Sequence, residues 1–304
     1  MDSVAWGCKG TAHGGSPVCD FSSRQKTAIC YGMMYMRPSL SAIAVALSLL
    51  GPTIVSASDT TGLSKVELRP GWRMDDGTHM AALHIVLEPG WKTYWRAPGD
   101  VGIPPQFDWS GSENIHAVST NWPTPQVFFE QGMRSVGYKS EVVIPLHMTA
   151  NTASADMQLT GDMQIGICKD ICIPAHLSFT ATLPPTPTRP DPMIAAALTD
   201  RPYTASEAGV RNTTCRIEPS TDGGLVLHAE IEMPTANSTE YVVVEAGNPH
   251  VWVAEPDSRR DGGMLHATTR LVHVEGGSFA LDRSDLRFTI ISDARAVDIQ
   301  GCTP

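Results

Sequence analysis

The chain has 304 residues, with 32 acidic against 22 basic side chains and a formal net charge of −10. That balance excludes nucleic-acid binding, which needs a basic face to neutralise phosphates. Hydrophobic residues make up 42%, enough for packed cores, and 26 glycines with 23 prolines favour many short strands joined by turns over long helices.

Residues 1–32 carry Cys8, Cys19 and Cys30 and show no periodic pattern. They read as a misplaced start or an extension ahead of a true initiator at Met33, Met34 or Met36. From there to residue 58 the sequence reads as an export signal. Arg37 supplies a short positive region, Leu40 to Val55 an uncharged and mostly apolar run, and Val55-Ser56-Ala57 the small residues of a cleavage site. A membrane anchor is the rival reading, but the run is short and contains Pro52. Residues 1–58 are therefore expected to be absent from the exported protein, which keeps four cysteines: Cys168, Cys172, Cys215 and Cys302. An even number in an oxidising compartment suggests disulfides.

Residues 59–183 read as strands. Met80–Leu87, Glu141–Met148, Met157–Ile167 and Leu177–Leu183 carry apolar or alternating patterns, separated by turn signals such as Pro89-Gly90 and Pro98-Gly99-Asp100. Residues 184–200 form a proline-rich linker, with one short helix expected over Met193–Thr199. Residues 201–304 repeat the strand pattern, most clearly in Leu225, Leu227, Ala229, Ile231 and Met233. The expected fold class is all-β, with two immunoglobulin-like β-sandwich domains joined by the linker.

The close pair Cys168-Lys-Asp-Ile-Cys172 carries the chemistry. Residues four apart on an extended strand lie roughly 13 Å apart, whereas a disulfide needs Cα atoms about 4.4–6.8 Å apart. The chain must turn back at residues 169–171, and a hairpin with that three-residue loop sets the cysteines opposite each other. A bond across so short a loop removes little unfolded-state entropy, which suits a reversible switch better than a staple. Lys169 would favour a nearby thiolate, the attacking species. Spacing alone leaves three readings: an inert structural disulfide, a redox pair, or a metal pair holding copper(I) with Met163 or His176. Tyr138 and Glu141 are candidates for proton relay or orientation beside the pair. Trp91, Tyr94, Trp95 and Arg96 form an aromatic and cationic cluster, either a wall beside the cysteines or a sandwich core. Cys215 and Cys302 bracket the second half and suit a structural disulfide closing a long loop, with a second redox pair as the alternative.

Four ordered motifs then carry a resemblance: Trp91-Lys-Thr-Tyr-Trp-Arg-Ala-Pro-Gly-Asp-Val-Gly-Ile-Pro-Pro105, Asn121-Trp-Pro-Thr-Pro125, Gly137-Tyr-Lys-Ser-Glu-Val-Val-Ile-Pro-Leu146 and Gly166-Ile-Cys-Lys-Asp-Ile-Cys-Ile-Pro174. Together they resemble the N-terminal periplasmic domain of the thiol:disulfide interchange protein DsbD, on the ScsB-like branch associated with copper tolerance. The resemblance implies a periplasmic immunoglobulin-like domain that needs no cofactor. It implies electrons taken from a separate membrane-embedded DsbD- or CcdA-like donor and handed to periplasmic thioredoxin-fold proteins or isomerases, with Cys172 attacking the downstream partner. It also implies a cap loop over the pair, matching Phe128-Phe-Glu-Gln-Gly132, with Phe128 or Phe129 as the lid. Two features depart from the DsbD pattern. The spacer between the cysteines is shorter here, and the sequence stops at Pro304 without a membrane block or thioredoxin-like domain.

Overall fold

The structure is a computed structural model that describes residues 54–57 and 61–304, apart from 131, 187, 222 and 294. Apart from residues 54–57, the expected export signal lies outside the described residues, as do Cys8, Cys19 and Cys30. In chain order the first half runs β1 (Ile54–Ala57), β2 (Leu63–Arg73), β3 (His79–Leu87), β4 (Lys92–Tyr94), β5 (Gln106–Asp108), β6 (Ile115–Thr120), β7 (Gln126–Glu130), β8 (Met133–Lys139), β9 (Glu141–Ala150), β10 (Met157–Cys168) and β11 (Cys172–Leu183). Strands β2-β3-β9-β6 form one sheet, and β1-β11-β10-β4-β8-β7, with β5 also on β10, form the other. Ile54–Ala57, the end of the expected signal, pairs antiparallel with residues 177–180 of β11.

Alternation builds this sandwich. Along β11, Ala175, Leu177, Phe179, Ala181 and Leu183 are buried while the residues between them are exposed. On β10, Met157, Leu159, Met163, Ile165 and Ile167 point into the same core. Facing them across the sandwich are Leu83 and Ile85 of β3 and Ile144 and Leu146 of β9. Side chains on each strand point alternately to opposite faces, so a strand with one apolar row must face a second sheet.

The second half runs α1 (Pro192–Thr199), β12 (Tyr203–Thr204), β13 (Asn212–Pro219), β14 (Leu225–Glu232), β15 (Tyr241–Glu245), β16 (Val251–Val253), β17 (Asp257–Asp261), β18 (Met264–His273), β19 (Arg287–Ile291) and β20 (Ala296–Gln300). The sheets β13-β14-β18-β16, with β17 on β18, and β12-β20-β19-β15 enclose a second core around Leu227, Ile231, Leu265, Phe288 and Ile290. The all-β architecture expected from the sequence is the one observed.

The proline-rich stretch does not hold the halves apart. Asp191 caps α1 by accepting from the Met193 and Ile194 amides and also takes both Nε and Nη2 of Arg69 on β2. Ile194 is fully buried against Met80 and Ala82. Leu49–Pro304 form one compact unit, and Val243, Ile291 and Ala296 of the second half join the first core. A Pro at the first helical position and an acidic cap start a helix wherever they fall, and its apolar face then docks on the nearest sheet. No helix among the described residues is long and apolar enough to cross a membrane.

Candidate functional site

Cys168 ends β10 and Cys172 begins β11, directly opposite each other in antiparallel register, and they are joined as a disulfide with Cα atoms 4.1 Å apart. The three-residue loop is closed by the Lys169 amide donating to the Ile171 carbonyl at 3.1 Å. The two sulfur-bearing residues differ in access. Cys168 is 1% exposed, whereas Cys172 is exposed at the loop tip beside Ile171, itself 68% exposed. Register puts both cysteines on the outer face of the sheet, since their neighbours Ile167 and Ile165 fill the core.

That outer face is covered at one place. The alternation along β10 stops at Gly166, where residues 165–168 are all buried. Tyr94 of β4 is the cover: it is 2% exposed, and its hydroxyl lies 3.3 Å from Cys172 Sγ. The ring lies over Gly166, where a Cβ would stand 3.1 Å from Tyr94 Cδ2 and 2.7 Å from Ile103 Cβ. Only glycine lets the ring and the Val101–Ile103 loop approach the strand so closely. Burial holds the Tyr94 phenol above its ordinary value, and the Glu130 carboxylate pushes the same way, so the hydroxyl keeps its proton.

Beside Cys168, on the next strand, stands Lys92 in direct register. Residues directly opposite across an antiparallel pair have Cβ atoms about 4.5–5.5 Å apart. The Lys92 side chain is 4% exposed; its ammonium donates to Ser135 Oγ at 3.2 Å and pairs with Glu130 Oε2 at 2.7 Å. It also lies 5.5 Å from the centre of the Phe128 ring and 5.7 Å from that of Tyr94. Phe128 and Glu130 sit on β7, which pairs with β8 as a hairpin. One face of this hairpin therefore meets the cysteine row. The other face is fixed to the second sandwich. The Phe129 ring is 5.4 Å from that of Tyr241, and Arg134, paired with Phe129 in register, donates to the Val242 carbonyl and bridges Glu255 at 3.1 Å.

The structure sorts the expected site residues. Phe128 is buried on the cysteine face, whereas Phe129 is 54% exposed and turned to Tyr241. The expected cap loop is a strand hairpin. Lys169 lies against Gly90, with its Nζ 3.6 Å from where a Cβ would stand, rather than over the sulfurs. Tyr138 does not relay protons beside the pair: strand parity turns it into the core, where its hydroxyl donates to the Pro123 carbonyl at 2.8 Å. Burial raises its phenol far above the ordinary value. Glu141 is on β9 of the opposite sheet and meets His84 Nε2 at 3.1 Å. Parity also breaks the copper set. Met163 points into the core, and His176 lies four residues along β11 from Cys172, roughly 13 Å away.

The cluster of Trp91, Tyr94, Trp95 and Arg96 is divided by the same alternation. Tyr94 is the wall beside the sulfur, and Trp95 is fully buried in the core. Arg96 stacks on Trp95 at 4.0 Å and forks onto Glu245 of the second half. Lys92 and Glu130 were not among the expected site residues. The signal for Lys92 is its place two residues before Tyr94 in Trp91-Lys-Thr-Tyr-Trp95, on the same face of a strand. Cys215 and Cys302 are joined, tying β13 to the end of the chain. Cys215 is 2% exposed.

Residues 63–184 match the family model described as thiol:disulfide interchange protein DsbD, N-terminal. The fold is similar to the crystal structure of the N-terminal periplasmic domain of ScsB from Proteus mirabilis, with a TM-score of 0.59 and 20% identity, over 83% of this chain and 93% of that one. No curated protein matches the chain. The resemblance carried by the four motifs is thus borne out over the first sandwich, and the likeness in fold extends over both.

Proposed function

We propose that the protein is a periplasmic thiol:disulfide interchange protein that relays electrons through Cys168 and Cys172. The observation that carries this reading is the asymmetric disulfide at a hairpin tip. Cys172 is exposed and its sulfur touches a protonated tyrosine, and Cys168 is buried beside it. Residues 63–184 match a thiol:disulfide interchange family, and the similar ScsB structure is described as periplasmic.

A donor thiolate attacks the exposed Cys172 Sγ; the Cys168–Cys172 bond breaks, and its electron pair leaves on Cys168 as a thiolate. The donor's second thiolate then attacks the donor sulfur of the mixed disulfide and releases Cys172. The donor leaves oxidised by two electrons and this pair reduced by two. In the forward transfer, Cys172 as thiolate attacks an acceptor disulfide and Cys168 resolves it. Tyr94 donates its hydroxyl proton's hydrogen bond to Cys172 in its anionic state. Phe128 covers the row when no partner is docked, and Ile171 and Ile103 offer apolar contact around the exposed sulfur. The donor is a membrane-embedded protein of the DsbD or CcdA kind and the acceptors are thioredoxin-fold proteins. The Cys215–Cys302 bond is structural.

The test is trapping. A Cys168→Ser variant lacks the resolving sulfur and should hold an oxidised thioredoxin-fold acceptor as a mixed disulfide through Cys172. A Cys172→Ser variant should hold almost none. Equal trapping by both, or by neither, would overturn the reading.

A further inference from the structure

We infer that Lys92 is a positioning residue for this exchange: its buried ammonium stabilises the thiolate that Cys168 becomes when the disulfide opens, and Glu130 on the β7–β8 hairpin sets how much of that charge Cys168 feels. The inference rests on the reading of Cys168–Cys172 as an exchanging pair.

Lys92 has a costly place. A charged side chain only 4% exposed must be paired, because burial disfavours the ion. Its partner, Glu130, belongs to the β7–β8 hairpin, and that carboxylate is 55% exposed. No element of the sandwich core needs this ion pair: Lys92 is on the outer face, in the row Cys172, Cys168, Lys92, Lys139 that runs straight across β11, β10, β4 and β8. Lys92 stands directly opposite Cys168 on that row, and its ammonium, held among Glu130, Ser135 and the Phe128 and Tyr94 rings, carries its charge next to the cysteine pair.

The other charged and titratable groups around the row are accounted for. Lys139 is exposed at its end, with its ammonium 4.5 Å from the Phe128 ring centre. Lys169 lies against Gly90, and Asp170 is exposed in the hairpin loop. Tyr94 stays protonated and serves Cys172. Lys92 is thus the buried cation of the row, and Glu130 is the anion that neutralises it.

The step that benefits is the first. When the donor thiolate attacks Cys172, the leaving group is Cys168, and a leaving thiolate of lower pKa departs faster. An ammonium beside it lowers that pKa. Glu130 reduces the effect while the hairpin is seated. A partner whose docking draws the exposed Glu130 carboxylate away from Lys92 leaves that ammonium unneutralised.

The two halves of the ion pair give tests of opposite sign. In a Cys172→Ser background, the Cys168 thiol is titrated by the ultraviolet absorbance of its thiolate. Lys92→Met should raise its pKa by roughly one unit, and Glu130→Gln should lower it by a similar amount. Lys92→Arg should leave it near the starting value. In the otherwise native chain, Lys92→Met should slow reduction of the disulfide by a donor dithiol about tenfold at neutral pH. Both substitutions break the same ion pair, so a Lys92 that merely latches the hairpin would make the two variants move the pKa in the same direction or not at all, and that result overturns the inference. If Lys92→Met fails to fold, the sign of the Glu130→Gln shift decides alone. A native pair that no thioredoxin-fold dithiol reduces defeats the exchange reading itself, separately from the titration.

Discussion

In the proposed exchange, Tyr94 acts on Cys172 through one hydrogen bond, its hydroxyl lying 3.3 Å from the sulfur. A hydrogen bond to an ionised acceptor is worth about 1.5–3 kcal/mol, more than one to a neutral group. Tyr94→Phe keeps the ring over Gly166 and removes only the hydroxyl, so stability should hardly change. Alkylation of reduced Cys172 at neutral pH should slow about tenfold, and the rates should converge with the native protein at high pH, where the thiol ionises unaided. His79 supplies a second prediction. It is buried on β3 with Nε2 2.6 Å from the Pro70 carbonyl, and burial depresses its pKa from 6.5 to about 4, with Arg73 acting in the same direction. The unfolded chain therefore binds a proton between those values that the folded chain refuses. The contribution is fully present above about pH 6.5 and is lost as pH falls toward about 4, up to about 3 kcal/mol in all. Urea midpoints measured from pH 7.5 down to 4.5 should fall, and His79→Gln should flatten that part of the curve.

At the scale of elements, the site is two hairpins meeting across β4. The β10–β11 hairpin carries the sulfurs, and the β7–β8 hairpin lies with Phe128 toward them and Phe129 toward Tyr241. Phe128→Ala should speed alkylation of the reduced pair severalfold while Phe129→Ala leaves the cysteine face covered. Rates with a neutral alkylating reagent check this, and equal effects would remove Phe128 from its role as the lid. The β10–β11 hairpin was legible in the sequence because two cysteines four apart can bond only across a hairpin or one helical turn, and Pro174 and the flanking β pattern disfavour the helix. Tyr138 and Glu141 were misplaced beside the pair because closeness to a motif in sequence says nothing of strand parity. Tyr138 is one residue off the face that Lys139 occupies. Strand β2 was not among the strands the sequence marked out. Pro70-Gly71 forms a bulge within it, with Gly71 at a φ of 65° and the register shifting between Arg69 and Trp72, which breaks the alternation. The family resemblance pointed to a cap loop at Phe128-Phe-Glu-Gln-Gly132 but not to its strands, since that stretch has no strand alternation of its own.

Across the whole molecule the two disulfides do different work. Closing a loop 87 residues long removes enough unfolded-state entropy to stabilise by about 4.5 kcal/mol, whereas the four-residue separation of Cys168 and Cys172 gives about 2 kcal/mol. Replacing Cys215 and Cys302 together by alanine should therefore lower the unfolding midpoint well beyond the effect of reducing Cys168–Cys172. The second sandwich adds a further role. Through Arg96–Glu245, Arg134–Glu255 and Phe129–Tyr241 it holds the side of the first sandwich from which the β7–β8 hairpin projects. The proline-rich segment looked like a spacer because composition reveals stiffness and not docking. Asp191 in the linker and Arg69 near the start of the first half are 122 residues apart, and only the folded chain brings them together.

On the proposed function, one of these bonds cycles and the other does not. The measurement to make is an equilibrium titration of residues 59–304 against dithiol buffers, with alkylation and peptide mass reporting each pair separately. Cys168–Cys172 should be reduced at about −200 to −270 mV, the range of exchange proteins, while Cys215–Cys302 stays oxidised. Resistance of both pairs to below about −300 mV would mark them as structural bonds and contradict the account.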